Sequence, residues 1–416
     1  LIIGAGATGL SAAISAASSG AKVILADEDF LMGGRLNTET LKIDGISGSK
    51  WAKNTVAKLS VMENVTLMSD TTIFGVYDHG IYGAIENRAS ESREDNDKPR
   101  QVNWRIYAKR SILCAGAIER SIAFGNNDRP GIMLASAVRA YTNRFAVATG
   151  DKVSVYTNND DGWETARDLT LQNIRVVAVI DSRSIKPVLR VPGAEIFMGT
   201  DVVDTKGRRA LKSIKLSNGK TIDCDSLAVS GGWNPNLHLT CHHRGIPKWN
   251  KEIASFIPDE STPPGMSVAG RAKGTMVLSD AIIEGHNVGS SVASGLGYKV
   301  KTSDPAETPS VPYNVSANWG VPSGKNRAWV DLQNDVTVKD IRLANQEGFK
   351  SVEHVKRYTT LGMATDQGKT ANVLGIGIMA ENMGQTMQET GTTIFRPPYS
   401  PVAIGAFAGR RRGMEF

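Results

Sequence analysis

The start of the chain carries the pattern that most restricts its fold. The segment "LIIGAGATGLSAAISAASSGAKVILADED" begins with a short apolar run, passes the glycines Gly4, Gly6 and Gly9, and continues through an Ala-rich stretch. A second apolar run then ends at Asp27. This order of strand, glycine turn, helix, strand and acid is typical of a dinucleotide-binding βαβ unit.

Each position of this fingerprint has a physical reason. Gly4 permits the tight turn, Gly6 leaves room for a pyrophosphate to approach the backbone, and Gly9 lets the helix pack close to the strand. We expect the Asp27 carboxylate to accept hydrogen bonds from the adenosine ribose hydroxyls. The other candidate cofactor contacts in this unit are Ala5, Thr8 and Glu28.

Two later segments are candidates to return to the same site. A Gly33-Gly34-Arg35 segment follows the second strand, where a GG turn passes the cofactor in two-dinucleotide-domain oxidoreductases; a plain turn with a surface Arg35 is the alternative. Residues 66–115 alternate apolar and polar positions in short runs, which predicts an antiparallel meander. A buried strand then ends at Ala115 and Gly116, in a turn similar to the A-T-G turn of that superfamily.

A second βαβ unit follows over residues 153–181, with its second strand ending in Asp181. Its turn, residues 157–162, reads "TNNDDG" and lacks the glycine fingerprint. Asn and Asp tolerate the left-handed backbone region and can cap a helix, so the fold does not depend on those glycines. A purely structural unit and a working nucleotide site both remain open at this point.

Gly270-Arg271 bears on which dinucleotide the first unit takes. Flavoproteins of this fold carry Gly-Asp in the corresponding segment, and that Asp binds the ribityl chain of FAD. An arginine in place of the acid argues against FAD on this chain. NAD, which has no ribityl chain, fits better.

Composition excludes several classes of function. The 41% hydrophobic and 22% charged residues are those of an ordinary globular protein, and the net charge of +6 is spread along the chain. No basic face interleaved with aromatics points to nucleic acid, and no apolar run is long enough to span a membrane. The densest basic run, Arg410 to Arg412, is interpreted as a solvated or partner-facing loop.

Cysteine and histidine usage argues against metal and dithiol chemistry. Three cysteines without a CxxC pair indicate a reducing compartment, and with no signal peptide we expect a cytoplasmic protein. The segment "HLTCHHRG" offers His238, Cys241, His242 and His243. Adjacent histidines seldom point at one ion and no second cluster supplies ligands, so no metal site is predicted.

A small helical module is predicted over residues 326–390. Thr337 to Asp340 has the form of a capping box, Gly348 ends that helix, Ser351 can cap the next, and a third helix is expected from near Asp366 to about Met383. The module resembles the [2Fe–2S] module of bacterioferritin-associated ferredoxin. The residues that stand at the positions of its cysteines are Asp331, Gln333, Asp366 and Ala371.

Because Fe–S clusters are held by thiolates, we predict that this module holds no iron–sulfur cluster. Its third helix begins with Gly368, Lys369 and Thr370, a helix N-terminus that can bind an anion such as a flavin phosphate. Packing at an interface with another chain is the alternative.

The predicted fold is α/β, with two Rossmann-like dinucleotide-binding domains of the FAD/NAD(P)-binding, pyridine nucleotide-disulfide oxidoreductase type and one small helical domain. The predicted boundaries are residues 1–148 with 225–300 for the first domain, 149–224 for the second unit, 301–325 for a linker, 326–390 for the helical domain, and 391–416 for a connector. The chain begins without Met, already inside a strand, which suggests a fragment of a longer polypeptide.

Four long segments resemble one family, the α subunits of heterotetrameric sarcosine oxidase. They are "NNDRPGIMLASAVRAY", "LAVSGGWNPNLHL", "DLQNDVTVKDIRLANQEGFKSVEHVKRYTTLGMATDQGKT" and "TGTTIFRPPYSPVAIGAFAGR". The resemblance implies a complex with β, γ and δ subunits that oxidises sarcosine to glycine with O₂ as acceptor. Formaldehyde or methylene-tetrahydrofolate is then the one-carbon product, alongside hydrogen peroxide.

The resemblance also implies how the cofactors are distributed. NAD binds the fingerprint of the α chain, an FAD on the β chain oxidises the amine, and an FMN lies at the α/β interface. Tetrahydrofolate binds a C-terminal aminomethyltransferase-like domain that, like a small N-terminal domain, is not part of this sequence. Candidate residues on the FMN side are Arg357, Thr359, Lys369 and Thr370, and no catalytic residue is assigned here.

Two alternatives stay open. The first is an α-type subunit of an opine or D-amino-acid dehydrogenase, with FAD on this chain and electrons leaving through a cluster. The missing cysteines and Arg271 count against it. The second is a non-catalytic scaffold subunit whose NAD is structural.

Overall fold

The computed structural model describes residues 1–88, 99–185, 189–301, 303–322 and 326–409. Two five-stranded parallel sheets with helices packed on them confirm the predicted α/β class with two Rossmann-like units. The α-helices are Ala7–Ser18, Gly48–Ser60, Ala135–Phe145, Asp160–Leu171, Leu278–Gly295, Val338–Gln346, Val352–Thr359, Asn372–Met383, Met387–Thr390 and Ile404–Ala408. Short 3₁₀ turns occupy Gly34–Asn37, Asp78–Gly80, His238–His243 and Gly270–Ala272.

The first sheet contains the fingerprint strand at its centre. Its strands, in spatial order, are Met266–Val268, Ser111–Leu113, Ile2–Ile3, Val23–Ala26 and Val65–Met68, all parallel. The sequence had placed the last of these in an antiparallel meander. It pairs instead with Val23–Ala26, because the intervening helix Gly48–Ser60 returns the chain to the same end of the sheet.

The remainder of that meander forms as predicted. Thr71–Tyr77, Ile81–Asn87 and Gln101–Tyr107 make a three-stranded antiparallel sheet beside the parallel one. The charged loop between its last two strands includes residues 89–98, which lie outside the described part of the chain.

The fingerprint helix Ala7–Ser18 packs against helix Leu278–Gly295, the last helix of the first unit, so closely that the two backbones are in contact. A Cβ atom on Gly285 would lie 2.3 Å from the Thr8 carbonyl oxygen, and one on Gly289 would lie 2.4 Å from that of Ala12. The hydroxyl of Ser11 donates to the Ile282 carbonyl at 2.9 Å. Only glycines allow two helices to lie this close, so these positions fix the pairing.

The second sheet is also wholly parallel. Its strands, in spatial order, are Ile132–Leu134, Ser226–Ser230, Val153–Thr157, Val176–Asp181 and Glu195–Met198. The predicted boundaries at residues 149 and 225 are therefore corrected at both ends. The strands Ile132–Leu134 and Ser226–Ser230 pair with each other in the second sheet, although the sequence had assigned both to the first domain.

The chain enters and leaves the second unit through one antiparallel pair of strands, Ala117–Glu119 and Trp233–Pro235. Three further small sheets are formed by Lys42–Ile43 with Ile46–Ser47, by Val202–Lys206 with Ser213–Leu216 and Thr221–Asp223, and by Lys248–Asn250 with Ser255–Ile257.

The helical module shares an apolar core with Ala123, Leu237, Phe256 and Trp319, and it includes a hairpin of Trp329–Asp331 and Val336–Thr337. The predicted capping box is confirmed, with reciprocal hydrogen bonds between Thr337 and Asp340. Ser351 lies at the N-cap of the next helix, but its side chain makes no capping hydrogen bond. The third helix begins at Asn372 rather than near Asp366, because residues 364–371 form turns.

Asp331, at one of the cysteine positions, has a local structural role. Its buried carboxylate accepts hydrogen bonds from the backbone N–H groups of Gln333 at 2.8 Å, Asn334 at 3.2 Å and Gly362 at 2.8 Å. These bonds tie the hairpin to the loop that precedes the third helix.

A buried ion cluster joins the two α/β units. Arg139 donates to Asp168 at 2.7 Å and to Asp161 at 3.2 Å, and its side chain is 3% exposed. Arg35 of the first unit reaches across to Asp161 at 2.7 Å and also pairs with Glu39. Burial would lower the pKa of Arg139, but these carboxylates raise it above its usual value.

We predict that Arg139→Met destabilises the protein by about 3–5 kcal/mol, because it leaves buried carboxylates without their counter-charge. The free energy of unfolding in urea measures the effect. Arg105→Met, at an exposed position on a strand, is the control and should change stability by less than about 0.5 kcal/mol. Equal effects of the two substitutions would show that the cluster does not hold the units together.

A pH dependence follows from Glu119, on the first of the two connecting strands. Burial raises its pKa from 4.5 to about 7, although Ser230 and Ser136 donate hydrogen bonds to it. The folded protein therefore holds a proton that the unfolded chain releases, and the Glu119 contribution to stability falls as pH rises from about 4.5 to 7. At 1.36 kcal/mol per pKa unit the full loss of stability is about 3–4 kcal/mol.

Glu119→Gln replaces the carboxyl group with an amide that stays neutral. It should flatten the dependence of stability on pH between about 4.5 and 7. Urea unfolding of the wild type and the variant at pH 5 and pH 7 tests this. A variant with the same slope as the wild type would assign the pH dependence to another group.

Candidate functional site

A cleft lies at the carboxyl ends of the first sheet, where Ile3, Ala26 and Leu113 end their strands. Ligands of open α/β sheets bind at this edge. The residues predicted from sequence that line the cleft are Gly4, Gly6, Thr8, Asp27, Glu28, Gly34, Arg35, Ala115, Gly116, Arg271 and Lys369. Those that do not line it are Ala5, Gly9, Gly270 and Thr370.

The three fingerprint glycines have the geometry that a dinucleotide turn requires. Gly4 has a φ of +96°, and a Cβ atom there would lie 2.5 Å from the Cys114 carbonyl oxygen. A Cβ atom on Gly9 would lie 1.8 Å from the Gly4 carbonyl oxygen. A Cβ atom on Gly6 would meet nothing within 4 Å, so Gly6 faces the open space that a phosphate would occupy.

Asp27 both lines the cleft and braces the turn. One carboxylate oxygen accepts a hydrogen bond from the Ala5 N–H at 2.5 Å, and the other accepts from the Asp29 N–H at 2.9 Å. Burial raises the pKa of Asp27, and these two hydrogen bonds oppose that shift. Ala5 thus takes part in the site through its backbone, although its side chain lies in the core.

Two further glycines bring the neighbouring segments against the fingerprint. A Cβ atom on Gly34 would lie 3.1 Å from the Gly6 Cα, and one on Gly270 would lie 2.3 Å from the Thr8 Oγ1. Arg35 and Arg271, which follow these glycines, both lie over the Trp233 ring, at 3.8 and 5.2 Å from its centroid. The Gly34-Arg35 segment therefore lines the cleft beside the fingerprint turn.

The part of the cleft near Glu28 includes His238 and Tyr399, which the sequence did not assign to the cofactor site. His238 stacks on Tyr399 with ring centroids 4.2 Å apart, and the Lys369 Nζ lies 4.3 Å from the Tyr399 centroid. Burial lowers the pKa of His238 to about 3, so its imidazole is neutral. Tyr399 comes from the far end of the chain, and no local pattern could have placed it here.

Lys369 is the one predicted residue of the helical module that reaches this cleft. Burial lowers its pKa, and the carboxylates of Glu28 and Asp366 oppose the shift. Thr370 is exposed and donates to Asp366 at 3.2 Å. Arg357 is exposed and pairs with Glu353, and the Thr359 hydroxyl donates to the Val355 carbonyl within its own helix.

The side chains of "HLTCHHRG" diverge. His238 stacks on Tyr399, His242 accepts a hydrogen bond from the Val76 N–H at 3.2 Å, and His243 lies 4.0 Å from Asp78. Among the described residues, no group of three or more His, Cys, Asp or Glu is arranged to hold a metal ion. Within the same part of the chain no helix has both the length and the apolar character to cross a membrane. Residues 410–412, the basic run, lie outside it.

The turn of the second unit is covered by the predicted linker. The backbone N–H and side-chain amide of Asn314 both donate to Asp160, at 2.8 and 2.7 Å, and Arg183 donates to the same carboxylate at 2.8 Å. The Asn158 amide donates to the Ser316 carbonyl at 2.7 Å. The chain itself thus occupies the polar groups that a nucleotide would need.

Electrostatics points the same way. Asp160 places a carboxylate in the first helical turn, where the positive end of the helix dipole would otherwise favour a phosphate. Asp181, at the end of the second strand, is fully buried and accepts hydrogen bonds from Trp163 and Arg183. The geometry favours the structural alternative for this unit.

The fold and the family matches define a class: oxidoreductases built from two Rossmann-like α/β units. Residues 1–82 match the family of FAD dependent oxidoreductases, and residues 325–410 match the sarcosine oxidase A3 domain. The L-proline dehydrogenase of P. horikoshii has the same fold, with a TM-score of 0.77 and 22% identity over 98% of this chain and 78% of that one. The thioredoxin reductase of Lactococcus lactis covers 70% of this chain with a TM-score of 0.54.

The particular relationship comes from the curated relatives. The sarcosine oxidase α subunit of Rhizobium meliloti is 42% identical over the whole chain, and that of Corynebacterium sp. (strain P-1) is 37% identical over 99% of it. The chain spans 43% and 45% of the lengths of these two relatives. An opine oxidase subunit from Agrobacterium tumefaciens is 21% identical over 98% of the chain. The chain is thus similar over its whole length to the α subunits of sarcosine oxidase, which confirms the resemblance seen in the sequence.

The glycine geometry predicts different outcomes for two conservative substitutions. Gly6→Ala adds a methyl group to open space and should leave the melting temperature unchanged while weakening dinucleotide binding. Gly9→Ala forces the helix away from the Gly4 carbonyl and should lower both stability and binding. Thermal unfolding and nucleotide titration of the two variants test this. A Gly6→Ala protein that binds nucleotide like the wild type would contradict the placement of the phosphates.

Proposed function

We propose that this chain is the dinucleotide-binding part of the α subunit of a sarcosine oxidase complex. The complex oxidatively demethylates sarcosine to glycine with O₂ as acceptor, and gives hydrogen peroxide and formaldehyde, or methylene-tetrahydrofolate when the folate is present. The observation that carries the proposal is 42% identity over the whole chain to a sarcosine oxidase α subunit. Its partners are then the β, γ and δ subunits, in a cytoplasmic assembly.

The proposed ligand of this chain is NAD at the Gly4–Gly9 turn. The open space at Gly6 and the acid at Asp27 suit the diphosphate and the adenosine ribose of any dinucleotide. Arg271 distinguishes between dinucleotides, because a guanidinium has no acceptor for the ribityl hydroxyls of FAD. FAD and FMN then belong to the complex, with the FMN at the interface between the α and β subunits.

Amine oxidation itself is proposed to take place on another chain. The neutral, buried His238 and the structural Asp27 are poor candidates for a base that takes a substrate proton, so no catalytic residue is assigned here. Lys369, Thr370, Arg357 and Thr359 are proposed to contribute to the FMN side of the interface. Tetrahydrofolate is proposed to bind a further domain of the longer polypeptide.

One alternative has a specific observation in its favour. The match of residues 1–82 to FAD dependent oxidoreductases and the similarity to a subunit of opine oxidase are both compatible with FAD on this chain, as in an α-type subunit of an opine or D-amino-acid dehydrogenase. The absence of cysteines at residues 331, 333, 366 and 371 argues against an electron path through a cluster. A scaffold subunit with a structural NAD stays compatible with the first proposal.

Identification of the bound nucleotide separates these proposals. The full-length protein is purified and denatured, and the released nucleotide is identified by mass spectrometry. NAD is the expected result. Release of FAD would overturn the NAD assignment and favour the opine-dehydrogenase type of subunit.

Sarcosine-dependent oxygen consumption tests the division of labour. We expect no consumption by this chain alone and turnover after the partner subunits are added. Turnover by the chain alone would contradict the proposal. A hydride-transfer assay with NADH and an electron acceptor distinguishes an active dinucleotide site from a structural one.

A further inference from the structure

Arg271 is a cation of the cleft that forms no ion pair with any described residue. Its guanidinium nitrogen Nη1 is buried and makes no hydrogen bond, and within the described part of the chain no ion pair involves this residue. The guanidinium lies over the Trp233 ring, whose centroid is 5.2 Å away. Leaving the buried Nη1 group without a hydrogen-bond acceptor costs free energy, so an acceptor is expected that the chain does not supply.

The neighbouring cations make the contrast clear. Arg35 contacts the same tryptophan but pairs with Asp161 at 2.7 Å and with Glu39. Lys273, two residues after Arg271, is 56% exposed and pairs with Glu284 at 2.6 Å. Of these three cations, Arg271 alone is left for a ligand in the cleft.

The position of Arg271 is fixed by its surroundings. The N–H of Gly270 donates to Glu284 at 2.7 Å, and the Thr275 hydroxyl donates to the same carboxylate at 2.8 Å. Gly270 packs directly on Thr8, in the first turn of the fingerprint helix. Through Gly270, Arg271 is therefore held next to the N-terminus of the fingerprint helix. Gly6 faces open space at this same end of the helix.

We infer that Arg271 donates hydrogen bonds to the phosphates of a nucleoside diphosphate held at the Gly4–Gly9 turn. The inference rests on the proposed function and names the group of the ligand that this residue recognises. Guanidinium groups bind phosphate oxygens through charge-assisted hydrogen bonds, and the unpaired nitrogen is the donor that such a bond requires. The arginine that stands in place of the ribityl-binding acid thus serves to bind phosphate.

The test compares three probes on the full-length, nucleotide-stripped protein. NAD and ADP-ribose both carry the diphosphate, whereas adenosine carries none. Calorimetry measures the affinities for NAD and ADP-ribose, and ligand-observed NMR measures the affinity for adenosine. Arg271→Gln should weaken the binding of NAD and of ADP-ribose by a similar factor, on the order of tenfold to a hundredfold. It should leave the affinity for adenosine unchanged. Lys273→Gln, which removes an exposed and already paired charge, is the matched control and should change none of the three.

A second readout separates ligand binding from a structural role. Removal of an unpaired cation should leave the melting temperature of the ligand-free protein unchanged or raise it. If Arg271 served only to hold the fold, Arg271→Gln would lower that melting temperature, and this result would overturn the inference.

Two further outcomes would also overturn it. Loss of NAD affinity with unchanged ADP-ribose affinity would place Arg271 at the nicotinamide end of the ligand. Unchanged affinity for both would remove it from the site. A wild-type protein that binds FAD and not NAD would refute the proposed function, while the ADP-ribose comparison still decides the role of Arg271.

Discussion

The close approach of one helix to two neighbours is the constraint on which the first unit depends. Helix Ala7–Ser18 lies against the turn at Gly4 through its Gly9, and against helix Leu278–Gly295 through Gly285 and Gly289. A methyl group at any of these three glycines would meet backbone. Because backbone cannot yield as a flexible side chain can, the helix has one position available to it. Its N-terminus is thereby held at the carboxyl edge of the sheet, next to the open space at Gly6.

The two α/β units divide their tasks although they share a plan. In the first, the polar groups of the turn face an open cleft. In the second, Asn314 and Arg183 already satisfy Asp160, and the buried ion cluster around Arg139 fastens the unit to its neighbour. The second unit thus has a structural role. Its Asp161 holds Arg35 in place beside the cleft.

The parts of the molecule that depend on local chemistry could be predicted from sequence. The glycine fingerprint gave the first unit, and the Thr337–Asp340 pattern gave a helix start that the structure bears out. The strand Ser226–Ser230 was assigned to the wrong sheet, because an apolar run does not reveal which of two parallel sheets it joins. Tyr399 and His238 were missed for a related reason: they meet through tertiary packing between distant segments.

The paired strands Ala117–Glu119 and Trp233–Pro235 have a consequence for how such a chain can be assembled in evolution. Because the entry to the second unit and the exit from it are hydrogen-bonded neighbours, the whole unit behaves topologically as a single insertion. The gene segment that encodes the unit can be gained, exchanged or lost in one event, because the points where the chain enters and leaves the unit lie side by side. Diversity in this architecture can therefore arise by replacing a module, with the glycine-packed first unit left intact.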